Sequence, residues 1–171
     1  MRRFALFAIL LPLLAESVAG LKWTAPPGWK NDGVSRPMRA ATYLISAAPG
    51  DPAGAECVVY FFGAGQGGSV EANLERWKGQ MLTAGGQTAD AKIAKRTVHG
   101  LTVSTIDSTG DYTGMGGPMA SKSMAKGYRM LGAIIEGSGG NIFIKFAGPI
   151  KTVTANQPKF EQMVGSFDKE H

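Results

Sequence analysis

A chain of 171 residues with net charge +5 and one cysteine is long enough to bury a core of its own, and it cannot staple itself with a disulfide. Its basic residues are scattered, with only Lys92, Lys95 and Arg96 approaching a cluster. No aromatic residues alternate with them, which argues against a nucleic-acid binder. His99 and His171 are the only histidines, too few for a histidine-built zinc site, and a hydrolase triad would have to rely on His99.

In chain order, residues 1–19 read as a secretory signal peptide. Arg2 and Arg3 form a positive head, Phe4 to Ala15 an apolar run, and Ser17-Val18-Ala19 puts small side chains at the −3 and −1 positions of a cut after Ala19. The apolar run is too short to cross a hydrocarbon core of ~30 Å as a helix, and Pro12 interrupts it, so no transmembrane span is expected in the mature form. The arginine pair lacks the preceding polar residue of a twin-arginine signal, which favours ordinary unfolded export. Localisation is therefore expected to be the periplasm or the extracellular space. The mature domain is 20–171, carrying +4 once the leader's net +1 is removed.

Lys22 to Trp29 is an extended lead-in, since Pro26-Pro27 bars a helix. Arg39 to Ser46 alternates as a strand, and Cys57 to Phe62 is apolar on both faces, as a doubly covered central strand should be. A helix follows. Ser69 can cap it, Glu71 suits its first turn, and Val70, Leu74, Trp77 and Met81 make its stripe up to Gly85-Gly86. Strands are predicted over 91–98, 101–107, 128–136 and 142–146, with a long loop from Gly110 to Gly127. The chain closes on a helix carrying Phe160, Met163, Val164 and Phe167, with Pro158 in its first turn. Hairpin-length links between the late strands predict an antiparallel sheet with helices packed on it, a single α+β domain.

Each tempting motif has a plainer alternative. Gly63-Ala64-Gly65-Gln66-Gly67-Gly68 satisfies the dinucleotide glycine pattern, with Asp90 some twenty residues on. No buried parallel strand follows the helix, because Ala84 to Asp90 is a polar turn, so a strand-to-helix loop is the expectation and no cofactor is assigned. His99 before Gly100 is a turn residue. Cys57 within an apolar strand is a buried, inert thiol. Asp107 and Asp111 bracket a tight turn rather than a cation site. Met115, Met119 and Met124, with Met130 beyond them, offer soft thioethers suited to copper outside the cytoplasm, or flexible apolar cover.

Asn73, Arg76 and Gln80 flank the apolar stripe of the first helix and are candidate partner-binding residues. The alternative is that they tie down neighbouring loop carbonyls. Arg129 joins them as a candidate contact. An enzyme would need Arg76 or Arg129 beside a carboxylate such as Asp107 in a concave pocket, and no catalytic set is assigned.

Trp23, Pro27-Gly28-Trp29, the strand Met38 to Tyr43, the helix core Asn73-Leu74-Glu75-Arg76-Trp77 and the closing Phe160 and Ser166-Phe167 resemble exported bacterial proteins of the PsbP/DcrB-like superfamily. That resemblance implies one α-β-α sandwich around a central antiparallel sheet, without shared catalytic residues. It implies an exported, non-enzymatic accessory or binding protein whose partner is an envelope protein or a small ligand. The alternative is a soft-metal protein using Met115, Met119 and Met124.

Overall fold

The computed structural model describes residues 15–114 and 124–170. The chain starts with a hairpin: β1 (Ala15–Val18) pairs antiparallel with β2 (Leu21–Thr24) across Ala19-Gly20, whose φ angles of 56° and 75° make a tight left-handed turn. The predicted cut after Ala19 falls in that turn. Glu16 ties the hairpin to the body of the fold, accepting hydrogen bonds from the Tyr43 phenol at 2.7 Å and from Asn31 at 2.9 Å.

Next come β3 (Lys30–Asn31), β4 (Arg39–Ile45), β5 (Ala55–Phe61), α1 (Val70–Lys78), β6 (Met81–Leu82) and β7 (Ala91–Val98). They are followed by β8 (Leu101–Tyr112), β9 (Ala125–Glu136), β10 (Ile142–Pro149), α2 (Ile150–Gly165) and β11 (Asp168–Lys169). An eight-stranded antiparallel sheet runs β3-β4-β5-β10-β9-β8, with β6 and β7 both paired to β8. β11 adds to the free edge of β2.

The period-two alternation of the central strands sorts the core onto two faces. Cys57 and Val59 of β5, Leu131, Ala133 and Ile135 of β9 and Ile144 and Phe146 of β10 share one buried cluster with Val153, Phe160, Met163 and Val164 of α2. Val58, Tyr60, Met130, Ile134 and Phe143 face the other way, onto Leu74 and Trp77 of α1. This is the expected α-β-α sandwich with a central antiparallel sheet, one α+β domain. The two covers are unequal: α2 has 16 residues and α1 only 9, a rod of about 14 Å at ~1.5 Å per residue.

Several boundaries differ from expectation, each for a local reason. Helix α1 stops at Lys78 rather than at Gly85-Gly86, and Met81 lies in β6. Gly79 is a poor helix former, and the β8 edge offers the departing backbone better partners: Met81 pairs with Tyr112, and Thr113 donates to the Gln80 carbonyl at 3.0 Å. The expected 110–127 loop is shorter at both ends, since Gly110 pairs with Tyr128 and Tyr112 with Ala125. Gly110 sits within a strand because a Cβ there would lie 2.4 Å from the Leu82 carbonyl oxygen. Asp107 and Asp111 accordingly lie on β8 and bracket no turn.

Helix α2 begins eight residues before Pro158, so this proline sits inside the helix rather than in its first turn. The start is held from a distance. Asp51 accepts from the backbone N–H and the hydroxyl of Thr152 at 2.8 and 2.6 Å, the role an N-cap side chain usually fills. β5 runs between antiparallel β4 and β10, so the glycine run after it does not belong to the parallel β-α-β unit of a dinucleotide site. His99 sits at φ 45° in the β7–β8 turn, with Nδ1 2.8 Å from the Phe167 carbonyl oxygen. Cys57 is wholly buried and free, and burial pushes its thiol pKa up, as an inert core residue requires.

Candidate functional site: an aromatic groove on the α1 face

Because α1 is short, it roofs only part of its face of the sheet. The remainder is a groove of two adjoining cavities, about 440 and about 500 Å³, which share Tyr60 and Lys145. Tyr60, Phe62, Trp77 and Phe143 wall the larger cavity. Tyr112 and Tyr128, stacked with ring centroids 6.0 Å apart, help wall the other. Trp77 can lie flat against the sheet because β9 carries Gly132 beneath it, where a Cβ would come within 2.6 Å of the indole.

Lys145 is the distinctive residue of the groove. It stands mid-way along β10 with 4% of its surface exposed. Its ammonium donates to Gln80 Oε1 and lies over two rings, 5.4 Å from the Trp77 centroid and 5.7 Å from that of Tyr112. Burial, helped by the nearby Arg76 charge, brings its pKa from 10.5 down to about 7. The other charged or ionisable groups lining the two cavities are Glu75 and Arg76 of α1, Glu56 and Tyr60 of β5, Tyr112 of β8 and Tyr128 of β9. Glu56 is engaged by Arg39 at 3.2 Å, and Arg39 also covers the Tyr60 ring at 5.6 Å. Burial pushes the Tyr60 phenol up to about 12 and that of Tyr112 higher still, so both stay neutral hydroxyls.

The four predicted contact residues divide between the two faces. Asn73 is buried and donates to the carbonyls of Gly67 at 2.7 Å and Ser69 at 2.8 Å, fixing the glycine loop to the helix in the way the plainer alternative holds. Arg76 donates to the Asn73 side-chain oxygen, and with Gln80 it lines the groove. Arg129 lies across the sheet. It forks onto Asp107 at 2.9 and 2.7 Å and reaches Thr154 at 3.0 Å and Gln157 at 2.9 Å of α2. The pairing with Asp107 raises its pKa, and the cluster clips sheet to helix.

Met115 and Met119 lie outside the described residues, Met124 is exposed, and Met130 is a fully buried core side chain. Among the described residues, no three His, Cys, Asp or Glu side chains converge as metal ligands, and no helix is long and apolar enough to cross a membrane.

Lys145, Tyr60 and Tyr112 were not among the predicted site residues. The signal was in Ile142-Phe143-Ile144-Lys145-Phe146, a lone charge in a strand apolar on both faces.

The fold defines an α+β sandwich of two helices on an antiparallel sheet. Among solved structures, that of PA94 from Pseudomonas aeruginosa, a protein of unknown function, is similar at TM-score 0.50 and 10% identity, over 90% of this chain and 94% of that one. The cyanobacterial PsbP protein CyanoP from Synechocystis sp. PCC 6803 gives TM-score 0.49 and 12% identity, over 88% and 87%. The sequence matches no family model and no curated protein.

Proposed function

We propose that this chain is an exported, non-enzymatic binding protein of the bacterial cell envelope, of the PsbP/DcrB-like kind, and that its recognition surface is the groove between α1 and the sheet, occupied by a small organic ligand. The observation that carries this reading is the unequal covering of the sheet. The α2 face keeps a pocket of about 200 Å³ beside Gln157 and Phe160, whereas the other face keeps an aromatic-walled groove within the usual volume range of small-molecule sites, roughly 300–1,000 Å³. Export is supported by the leader pattern of residues 1–19.

The test is native mass spectrometry of the protein recovered from the envelope fraction, beside a Thr113→Phe variant that fills the larger cavity from the residue after β8. A bound small molecule on the wild type that is absent from the variant supports the reading. A ligand retained by the variant, or none on either protein, overturns it.

A further inference from the structure

The groove holds two cations, Lys145 and Arg76, with no Asp or Glu oxygen within 4.0 Å among the described residues. Among the described residues, Arg36, Arg39, Arg96 and Arg129 each have an Asp or Glu oxygen within 4.0 Å, at 2.6, 3.2, 2.7 and 2.7 Å. Arg76 forms no such pair. Its guanidinium instead reaches the neutral Asn73 amide, whose other end is spent on two loop carbonyls. Lys145 forms none either, although it is 96% buried, counting from its 4% exposure. One amide oxygen and two ring faces stand around a group with three N–H donors. A buried ammonium is normally matched by a counter-charge, and replacing it with an apolar side chain would remove its desolvation cost. Here a lysine occupies the floor of an open groove, beside an arginine that also repels it. Two like charges line one cavity with a single carboxylate, Glu75, which is exposed on α1, while Glu56 of the adjoining cavity pairs with Arg39.

Apart from these charged groups, Gly79, Gln80 and Thr113, the cavity is walled by aromatic rings. Tyr60, Phe62 and Phe143 form a continuous aromatic cluster, with ring centroids 5.9 and 5.4 Å apart along the row. A ligand complementary to both ends must pair an anionic head with an apolar body, and a cavity of about 500 Å³ fits a small molecule rather than a folded partner. Resting on the groove as the binding surface, we propose that its ligand is a small organic carboxylate with an aromatic body, its head held by Lys145 Nζ and Arg76 and its ring among Tyr60, Phe62 and Phe143.

Isothermal titration of the full chain with 4-phenylbutyrate and with its neutral amide, 4-phenylbutanamide, tests this. A charge-assisted contact replaces a neutral one, so the carboxylate should bind about tenfold or more tighter than the amide. Lys145→Met, with Arg76 still in place, should narrow the gap, and Lys145→Met combined with Arg76→Gln should bring acid and amide to parity. Arg76→Gln, on the exposed helix surface, should narrow the gap without touching the fold. Equal binding of acid and amide to the wild type overturns the anionic head and leaves the groove standing. Binding of either probe that survives Thr113→Phe, or no binding by either below about 10 mM, overturns the groove reading with it.

Discussion

Replacing Lys145 by methionine should stabilise the protein in mild acid and flatten its pH dependence. An unfolded chain holds the lysine proton up to about 10.5, whereas the folded chain gives it up near 7. Between those values the unfolded state binds more protons, so wild-type stability should climb as pH rises from 7 towards 10.5 and be lowest, for this group, below 7. The gap between 10.5 and about 7 corresponds to about 5 kcal/mol against the charged form, of which about 3 kcal/mol is recovered between pH 6 and pH 9. Methionine fills similar volume without a charge. It forfeits the Gln80 hydrogen bond, about 1 kcal/mol, and the contacts with the Trp77 and Tyr112 rings, about 1 kcal/mol more. The variant should therefore be more stable than wild type by about 2–3 kcal/mol at pH 6, and its advantage should vanish by pH 9. Urea titrations of both proteins at the two pH values, followed by tryptophan fluorescence, measure the double difference. Parallel pH profiles for the two proteins would refute the reasoning, because they would mean that Lys145 is charged and solvated in the native groove.

Other perturbations probe the scaffold. Gly132→Ala places a methyl within 2.6–2.8 Å of the Trp77 ring and Ile106, and overpacking of this kind should cost about 1–3 kcal/mol in urea, with a shifted Trp77 emission. A variant as stable as wild type would show that α1 sits looser than its contacts imply. Asp107→Asn leaves Arg129 without its forked partner, and since that guanidinium is largely shielded, a loss of about 1–2 kcal/mol is expected. Thr154→Ala, which removes one bond at the edge of the same cluster, should lose less than half as much, and the reverse order would argue against Asp107 as the anchor. N-terminal sequencing of protein recovered from the envelope should begin at Gly20, and a start inside the cytoplasmic fraction at Met1 would count against export.

The layers of the fold were legible because they rest on periodicity. The two-sided apolar run at Cys57–Phe62 and the stripes at Leu74 and Trp77 and at Phe160, Met163 and Val164 each record a burial demand local to one element. The boundaries that went astray depend on partners far away in sequence. Nothing in the Gly79–Met81 segment announces that Tyr112 will offer it a sheet edge, and nothing near Thr152 reveals that Asp51 will cap α2. The candidate site was half legible for the same reason. Arg76 and Gln80 were visible as polar groups beside a stripe, but the groove they line is a gap left by a short helix over a wide sheet, and a gap has no residues of its own. Arg129, a candidate contact alongside them, stands on the α2 face of β9, bonded to Thr154 and Gln157.

Under the export proposed above, the hairpin at the start of the described chain bears on the order of leader removal and folding. The bond after Ala19 lies in a two-residue turn flanked by paired strands, with Glu16 fastened to Tyr43 behind it. A peptidase that must draw this segment out straight would find it folded away once the hairpin closes. In an exported chain, leader removal must then win a race against hairpin closure. A precursor that folds first would keep its leader, sealed in by its own strand.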